Sequence, residues 1–305
     1  MISIVIPCYN ESESVPYFYK EMEKIRQTMS YEFEYIFVDD HSTDTTREVL
    51  RELQAGDPAV HFIFFSKNFG KEAGMLAGLR EASGDFVTVM DADLQDPPTL
   101  IPKMMDILEE GVYDCVGTRR SDRSGEDGIR SFFSALFYKL ENKISDTKMV
   151  DGARDFRMMT RQVLDSVLSL TEYNRFSKGL FEWVGYDTYY LEYENVEREH
   201  GNTSWSFWNL LSYSIEGVIN FSAFPLRIAS FFGFFTFVIA ILASAFIVIN
   251  TLYNGIETPG WASMTCILLF LGGIQLFAIG VLGEYISKIF LETKNRPHYI
   301  IKEKK

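Results

Sequence analysis

The chain is poor in the residues that build zinc sites, disulfide scaffolds and nucleic-acid-binding faces. Its 305 residues include three cysteines and four histidines, and neither set has the spacing of a metal-binding motif. The net charge of −13 argues against nucleic acid as a partner, because a phosphate backbone attracts basic surfaces. The first apolar stretch is short and lacks a basic leader, which disfavours a signal peptide.

Charge is also absent from two long stretches in the C-terminal part of the chain. Residues 228–250 and 261–283 contain no charged side chain, and a helix of either length spans a hydrocarbon layer of about 30 Å. Two buried core helices are the alternative, although core helices seldom run past about twenty residues without a charge. The sequence therefore predicts two transmembrane helices within residues 227–286.

Basic residues around these stretches predict their orientation. The connector 251–260 has no lysine or arginine, whereas the tail 287–305 has six. Since basic residues favour the cytoplasmic side, we expect a multi-pass protein of the cell membrane with both termini in the cytoplasm. Four glycines could let the second helix pack closely in a homo-oligomer, or reflect the frequency of glycine in membrane helices; they are Gly272, Gly273, Gly280 and Gly283.

Residues 1–205 alternate between buried-strand runs and segments of helical periodicity. The predicted strands are 2–6, 35–38, 60–65, 86–90 and 114–118, and the predicted helices are 14–29, 43–54, 71–82 and 99–110. Repeated strand–helix units favour an α/β domain with a mostly parallel, Rossmann-like sheet. Polar residues follow several strands, and the carboxyl ends of parallel strands line one crevice. We therefore expect the functional site at that edge.

Two further segments have apolar residues at helical spacing. One is 129–144, and the other begins at 206 and leads into the first membrane helix. Each is expected either to pack on the soluble domain or to lie in the membrane interface. We assign residues 206–226 as a juxtamembrane amphipathic helix.

The segment after the fourth predicted strand has the ligands of a divalent-cation site. Asp91-Ala92-Asp93 supplies two carboxylates and Gln95 supplies an amide oxygen, and hard oxygen ligands suit Mg²⁺ or Mn²⁺. A metal ion there would neutralise a departing diphosphate during transfer from a nucleotide-activated donor. Most Asp-x-Asp triplets are turns or helix caps, and Pro97-Pro98 also fits the start of a helix. The motif therefore needs support from the rest of the chain.

Six motifs in a fixed order provide that support. They are Ile6-Pro7-Cys8-Tyr9-Asn10-Glu11, Val38-Asp39-Asp40-His41-Ser42-Thr43-Asp44, Asp91-Ala92-Asp93-Leu94-Gln95-Asp96-Pro97-Pro98, Gly117-Thr118-Arg119, Asp155-Phe156-Arg157 and Arg198-Glu199-His200-Gly201-Asn202-Thr203-Ser204. With them the chain resembles the inverting family 2 glycosyltransferases, and within these the polyprenyl-phosphate glycosyltransferases similar to bactoprenol glucosyltransferases and dolichyl-phosphate mannose synthase. The resemblance implies a GT-A catalytic domain followed by interfacial helices and a two-helix transmembrane hairpin.

The same resemblance implies roles for individual residues. Metal binding falls to Asp91, Asp93 and Gln95, and binding of the nucleotide sugar to Pro7, Tyr9, Glu11, Asp40, Asp91 and Arg198. Arg198 is similar to the family arginine that closes over the donor diphosphate, a contact that suits the two-pronged guanidinium group. The lipid phosphate is expected to bind Arg119, Arg130 and Ser134.

Asp155 and Asp93 are the catalytic candidates. Asp155 matches the family aspartate that is usually cast as general base. A phosphate monoester has its second pKa near about 6 and is largely dianionic at neutral pH. We therefore expect Asp155 to position the acceptor or the sugar more than to remove a proton.

The predicted activity is inverting, metal-dependent transfer of one sugar to undecaprenyl (polyprenyl) phosphate at the cytoplasmic membrane face, for modification of a cell-envelope glycan. UDP-glucose or UDP-N-acetylglucosamine is the expected donor, with GDP-mannose as the alternative. A nucleotidyltransferase would have a glycine-rich basic loop where this chain has Pro7-Cys8-Tyr9-Asn10-Glu11, and a non-catalytic membrane scaffold would be expected to lose one of Asp93, Asp155 and Arg198. Trp205 departs from the lysine that many relatives have there.

Overall fold

A computed structural model describes residues 1–120, 150, 152–193, 224–254 and 260–305. Of the predicted site residues, Arg130, Ser134 and Arg198 lie outside these ranges, as does most of the segment 206–226. In chain order the elements are β1 Ile2–Cys8, α1 Ser14–Arg26, β2 Phe33–Asp39, α2 Thr46–Gly56, β3 Val60–Phe65, α3 Lys71–Glu81, β4 Phe86–Val89, α4 Leu100–Glu109, β5 Cys115–Arg120, β6 Ala153–Thr160, α5 Arg161–Ser169, α6 Ser177–Trp183, β7 Thr188–Tyr193, α7 Phe224–Asn254, α8 Trp261–Thr293 and β8 Ile301–Lys304.

The strands form one eight-stranded sheet in the order β7-β5-β6-β4-β1-β2-β3-β8. Pairing is parallel for β4 with β1, β1 with β2, β2 with β3 and β5 with β7. It is antiparallel where β6 lies between β4 and β5, and where β8 joins β3. The mostly parallel α/β sheet expected from the sequence is confirmed, and the carboxyl ends of β1, β2 and β4 lie at one edge.

Hydrophobic cores cover both faces of the sheet, because side chains of a strand alternate between its faces. Along β1, Ile4 belongs to one core with Phe18 of α1 and Met104 of α4. The neighbouring Val5 belongs to the other core, with residues of α3, α5 and α6. Near-continuous apolar runs such as β1 are typical of parallel strands that are buried on both faces.

Helix α3 approaches the sheet through its glycines. Gly74 and Gly78 are four residues apart and therefore share one helix face. A Cβ atom at Gly78 would lie 2.3 Å from Cγ1 of Val5, and one at Gly74 would lie 3.3 Å from Cβ of Pro7. At Gly78 only a residue without a side chain allows the helix backbone to come this close. The close contact fixes the position of Lys71, the first residue of the helix.

The C-terminal residues return to the α/β sheet as β8. Ile63 pairs with Lys304, and Phe64 pairs with Glu303. Tyr299 stacks on the ring of Phe65 with 5.1 Å between ring centroids. The basic residues of the tail 287–305 do not predict a strand, so β8 is a difference from the sequence-based expectation.

Side chains at and just after the end of α8 also contact the α/β domain. The N–H of Tyr173 donates to the Glu292 carboxylate over 2.7 Å, and the His298 ring is bonded to the carbonyl of Glu172 over 2.9 Å. The end of α8 is therefore attached directly to the α/β domain.

The helices α7 and α8 pack on each other and expose large apolar side chains, among them Phe234, Leu242, Phe270, Leu276 and Ile279. Within the described residues, one segment, Phe270–Thr293, is long and apolar enough to cross a membrane, and Ile228–Ala243 is a shorter apolar segment. A Cβ at Gly272, Gly273, Gly280 or Gly283 would meet nothing within 4 Å. These glycines therefore do not mediate the described contact between the two helices.

Candidate active site

Three loops meet where β1, β2 and β4 end. The N–H of Asp40 donates to the carbonyl of Cys8 over 2.9 Å, and the N–H of Met90 donates to the carbonyl of Val5 over 3.0 Å. The side chain of Asn10 accepts the N–H of Thr43 over 2.8 Å. The first two loops are thus fixed to each other, and the third begins beside β1.

Each of these loops contains a residue with left-handed backbone conformation. The φ angles are +56° at Asn10, +65° at His41 and +58° at Leu94. Asparagine and histidine adopt this conformation more readily than other residues, whereas a leucine rarely does. Such conformations cost on the order of 1–3 kcal/mol each and cluster at functional sites. Their occurrence after three adjacent strand ends supports a site at this edge.

The two aspartates after β2 have different environments. Asp39 is fully buried and accepts a bond from Nε of Arg47 over 2.5 Å. Asp40 accepts the backbone N–H groups of Phe69 and Gly70 over 2.6 and 2.8 Å. Burial raises the pKa of Asp40, and these N–H groups oppose the rise only in part. Asp40 thereby holds the loop that leads into α3, and each of its oxygens retains capacity for a second donor.

Asp91 and Asp155 lie together because of the register between β4 and β6. Val89 pairs with Arg157 in this antiparallel ladder, and continuing the register places Asp91 opposite Asp155. Like charges directly opposite each other are destabilising. The structure resolves the conflict with Lys71, whose Nζ lies 2.7 Å from Asp91 and 2.8 Å from Asp155.

The pKa values of this triad follow from burial and from the unequal surroundings of the two carboxylates. Desolvation lowers the pKa of Lys71, but the negative charges of Asp155 and Asp91 outweigh this effect. The net result is a pKa well above the usual value for lysine. Burial raises the pKa of Asp155, but Lys71 and Lys178 more than reverse this, so that its carboxylate is ionised throughout the physiological range. The pKa of Asp91 is raised, chiefly by burial and despite Lys71.

A second network holds the loop after Asp93. Asp96 is almost fully buried and accepts bonds from Tyr193 and from Nε of Arg154, the latter over 3.4 Å. The guanidinium of Arg154 also donates to Oε1 of Gln95 over 3.3 Å. Gln95, a predicted metal ligand, therefore has its amide oxygen directed to Arg154 in this structure.

The donor set suits a divalent cation that is shared with a substrate. Among the described residues, no three acidic, histidine or cysteine side chains converge as a complete metal cage. Mg²⁺ is usually held by one or two carboxylates together with substrate phosphates, without such a cage. The Lys71 ammonium against Asp91 shows that this carboxylate already takes a cation. The carboxylates of Asp91 and Asp93 are therefore chemically suitable ligands for the predicted divalent cation.

Helix α6 is attached to α3 beside this triad. The Glu72 carboxylate accepts the N–H of Ser177 over 3.1 Å and also its hydroxyl. The next residue, Lys178, lowers the pKa of Asp155 and has its own pKa lowered by burial. Asp155 is thus exposed to positive charge from two helices, from Lys71 of α3 and from Lys178 of α6.

The other predicted site residues are more dispersed. Pro7 packs against Gly74 of α3, and Tyr9 is 49% exposed. The N–H of Glu11 donates to the hydroxyl of Thr46 over 2.9 Å. Arg119 is paired with Glu192 at the surface of β5 and β7.

Two residues of the site, Lys71 and Arg154, lie outside the motifs recognised in the sequence. A signal was present for Lys71, because a cation in the first turn of a helix is disfavoured by the helix dipole. A lysine at that position indicates a local source of negative charge.

Comparison with known proteins gives two matching family models. The model "Glycosyl transferase family 2" matches residues 3–168, and the model "GtrB C-terminal hairpin" matches residues 224–289.

Relatives match over the full length of the chain. The "Putative glycosyltransferase CsbB" of Bacillus subtilis (strain 168) is 43% identical over 99% of this chain and 92% of its own. The "Bactoprenol glucosyl transferase" of Shigella phage SfX is 42% identical over 100% of this chain and 99% of its own. A crystal structure of glucosyl-3-phosphoglycerate synthase from Mycobacterium tuberculosis aligns with a TM-score of 0.48 and 20% identity, over 72% of this chain and 77% of that chain.

Proposed function

Because the chain belongs to glycosyltransferase family 2 and has the hairpin of the GtrB type, we propose that it transfers one sugar from a nucleotide sugar to a polyprenyl phosphate. One observation carries the proposal. A relative named as a bactoprenol glucosyl transferase is 42% identical across essentially both whole chains, including the catalytic domain and the hairpin. The name of that relative favours glucose, and therefore UDP-glucose, among the candidate donors, ahead of UDP-N-acetylglucosamine and GDP-mannose.

The donor would bind at the ends of β1, β2 and β4. Glu11 and Asp40 would contact the nucleoside, and Arg198 would close over the diphosphate. A bound Mg²⁺ or Mn²⁺ would neutralise charge on the leaving diphosphate. Asp91 and Asp93 are its proposed ligands, with Gln95 as a third once its amide oxygen turns from Arg154. Asp93 would contribute to catalysis by binding this metal ion.

The acceptor phosphate would bind Arg119, Arg130 and Ser134. One of its oxygens attacks the anomeric carbon in line with the departing diphosphate, so the configuration at that carbon inverts. Asp155 is a weak base, because its pKa lies far below its ordinary value. The acceptor is largely dianionic at neutral pH and needs no deprotonation. Asp155 is therefore proposed to hold the reacting groups in position.

The proposed location is the cytoplasmic face of the cell membrane, with α7 and α8 spanning the bilayer and both termini inside. The exposed apolar side chains of these helices suit lipid. The strand β8, which follows α8, is part of the catalytic sheet. The C-terminus and the catalytic domain must therefore lie on the same side of the membrane. Self-association through the glycines of α8 is a further prediction.

The test is a transfer assay with full-length protein in detergent. UDP-glucose, UDP-N-acetylglucosamine and GDP-mannose are each offered with a short polyprenyl phosphate, and the lipid product is followed by mass spectrometry. We expect one lipid-phosphate hexose, formed from UDP-glucose and lost in Asp91→Ala. The matched control is Asp106→Ala, which removes a carboxylate from the exposed side of α4. Absence of product with all three donors contradicts the proposed function.

A further inference from the structure

Lys71 forms ion pairs with two carboxylates, Asp91 and Asp155, that have different proposed roles in the reaction. Its ammonium contacts Asp91, a proposed metal ligand, and Asp155, the proposed positioning residue. Both carboxylates are largely enclosed by protein, with side chains 28% and 24% exposed. A single cation therefore serves two anions that the sheet register places opposite each other.

A divalent cation and the ammonium cannot share Asp91 without strong repulsion. At a separation of about 4 Å, unit charges of the same sign repel by several times the thermal energy at the effective dielectric of a protein surface, and the charge of a metal ion is twice as large. Asp155 remains as a partner for the ammonium, and its surroundings already favour its ionised form. Lys71 can therefore leave Asp91 and keep one ion pair.

The geometry of α3 allows this change without movement of the backbone. The helix is held against β1 and β2 by Gly74 and Gly78, whereas the Lys71 side chain is 43% exposed. A lysine side chain has four rotatable methylene groups, and its ammonium has three donors. Two of these donors are in use in this structure.

We propose that Lys71 is a built-in counter-ion of the donor site. In the donor-free enzyme its ammonium neutralises Asp91 as well as Asp155, and when a divalent cation binds Asp91 the ammonium pairs with Asp155 alone. This inference rests on the proposed function, because the displacing cation is the metal of the transfer reaction. Lys71 is thereby a positioning residue with two opposed effects. It weakens binding of metal by the empty enzyme, and it keeps Asp155 in place during the reaction.

The experiment measures Mn²⁺ binding by electron paramagnetic resonance, with full-length protein and no donor. For Lys71→Met we expect the Kd for Mn²⁺ to fall about tenfold, equivalent to about 1.4 kcal/mol, while transfer activity also falls. Lys67→Met is the matched control, since it removes the same charge from a lysine that lies over the Phe69 ring at 4.9 Å. Its affinity for Mn²⁺ should stay close to that of the wild type.

Two further variants separate charge from packing. Lys71→Gln removes the charge but retains a polar side chain, and it should also bind Mn²⁺ more tightly than the wild type. Lys71→Arg retains the charge and should keep the weaker affinity. A residue with a merely structural role would lower activity without increasing affinity for metal.

The outcomes distinguish this inference from the proposed function. If the wild type binds Mn²⁺ and neither neutral variant binds it more tightly, Lys71 does not compete with the metal and only this inference is overturned. If neither the wild type nor the neutral variants bind Mn²⁺, even with UDP present, the proposed metal site fails and the inference fails with it.

Discussion

The packing of α3 predicts that its two buried glycines differ in their tolerance of alanine. A Cβ at Gly78 would lie 2.3 Å from Cγ1 of Val5 and 3.2 Å from Cγ2 of Val38. Both valines are buried in the core, and a β-branched side chain has few alternative rotamers. At Gly74, one turn earlier, the nearest atom would be Cβ of Pro7 at 3.3 Å. Gly78→Ala therefore requires movement of the helix or the strand, and Gly74→Ala requires only a few tenths of an ångström.

The magnitudes can be estimated from these distances. Overpacking a core costs about 1–3 kcal/mol, whereas replacing a glycine inside a helix by alanine gains about 0.5–1 kcal/mol. For Gly78→Ala the clash is severe, and we expect the free energy of unfolding to fall by about 1–2 kcal/mol. For Gly74→Ala the two effects nearly cancel, and we expect a change within about 0.5 kcal/mol.

The assay is urea unfolding of both variants in the same detergent, followed by transfer activity under native conditions. Gly78→Ala should also lose activity, because displacement of α3 moves Lys71 away from Asp91 and Asp155. Gly74→Ala is the matched control on the same helix face. Equal stability of Gly78→Ala and Gly74→Ala would show that the contact with Val5 does not limit the size of residue 78.

Four further predictions concern the site and the membrane. Asp93→Ala should abolish transfer without affecting membrane insertion, and full activity in excess chelator would contradict the metal role. A cysteine at Asn254 should be labelled by an impermeant reagent from outside intact cells and one at Lys304 should not, whereas reversed labelling would place the catalytic domain on the wrong side. Arg130→Ala should raise KM for the lipid phosphate more than for the donor, because the contact proposed for Arg130 is charge-assisted and would form before reaction; equal effects on both would contradict the assignment. Asp155→Asn should lower kcat. If activity falls on the acid side of about pH 6, where the acceptor phosphate takes up a proton, the variant should show the same fall, since the lowered pKa of Asp155 leaves its carboxylate ionised at that pH. A fall with acid that occurs in the wild type and not in the variant would identify Asp155 as a base.

The first five strands could be predicted from the sequence because each is a short apolar run followed by polar residues. β1 and β3 match the predicted strands to within two residues at either end. Helix α2 begins at Thr46, three residues later than expected, because the Asp44 carboxylate accepts the N–H of Thr46 and ends the preceding loop.

The strands β6, β7 and β8 were not predicted. Charged residues interrupt the apolar pattern of β6 and β8, whereas β7 has one charged residue near its end and a strand-like composition from which it could have been predicted. In β6, Arg157 is almost fully buried, with its guanidinium 4.1 Å from the centroid of the Phe181 ring. A local pattern cannot indicate such a partner. Without β6, the register that brings Asp155 opposite Asp91 could not be derived, and the need for Lys71 between them was hidden. The Asp91-Ala92-Asp93 segment could be predicted as a site because it directly follows the apolar run of its own strand.

The return of the chain into the sheet has a consequence for the order of folding. β8 is translated after both apolar helices, yet it completes the edge of the sheet beside β3. Until then the backbone of β3 has an unpaired side, and its run Phe62-Ile63-Phe64-Phe65 is the kind of apolar edge that pairs with other chains. A nascent chain that stalls within the hairpin therefore exposes this edge, whereas a chain that has passed through it covers the edge with its own C-terminal segment. Completion of the catalytic sheet is thus coupled to completion of the C-terminal hairpin.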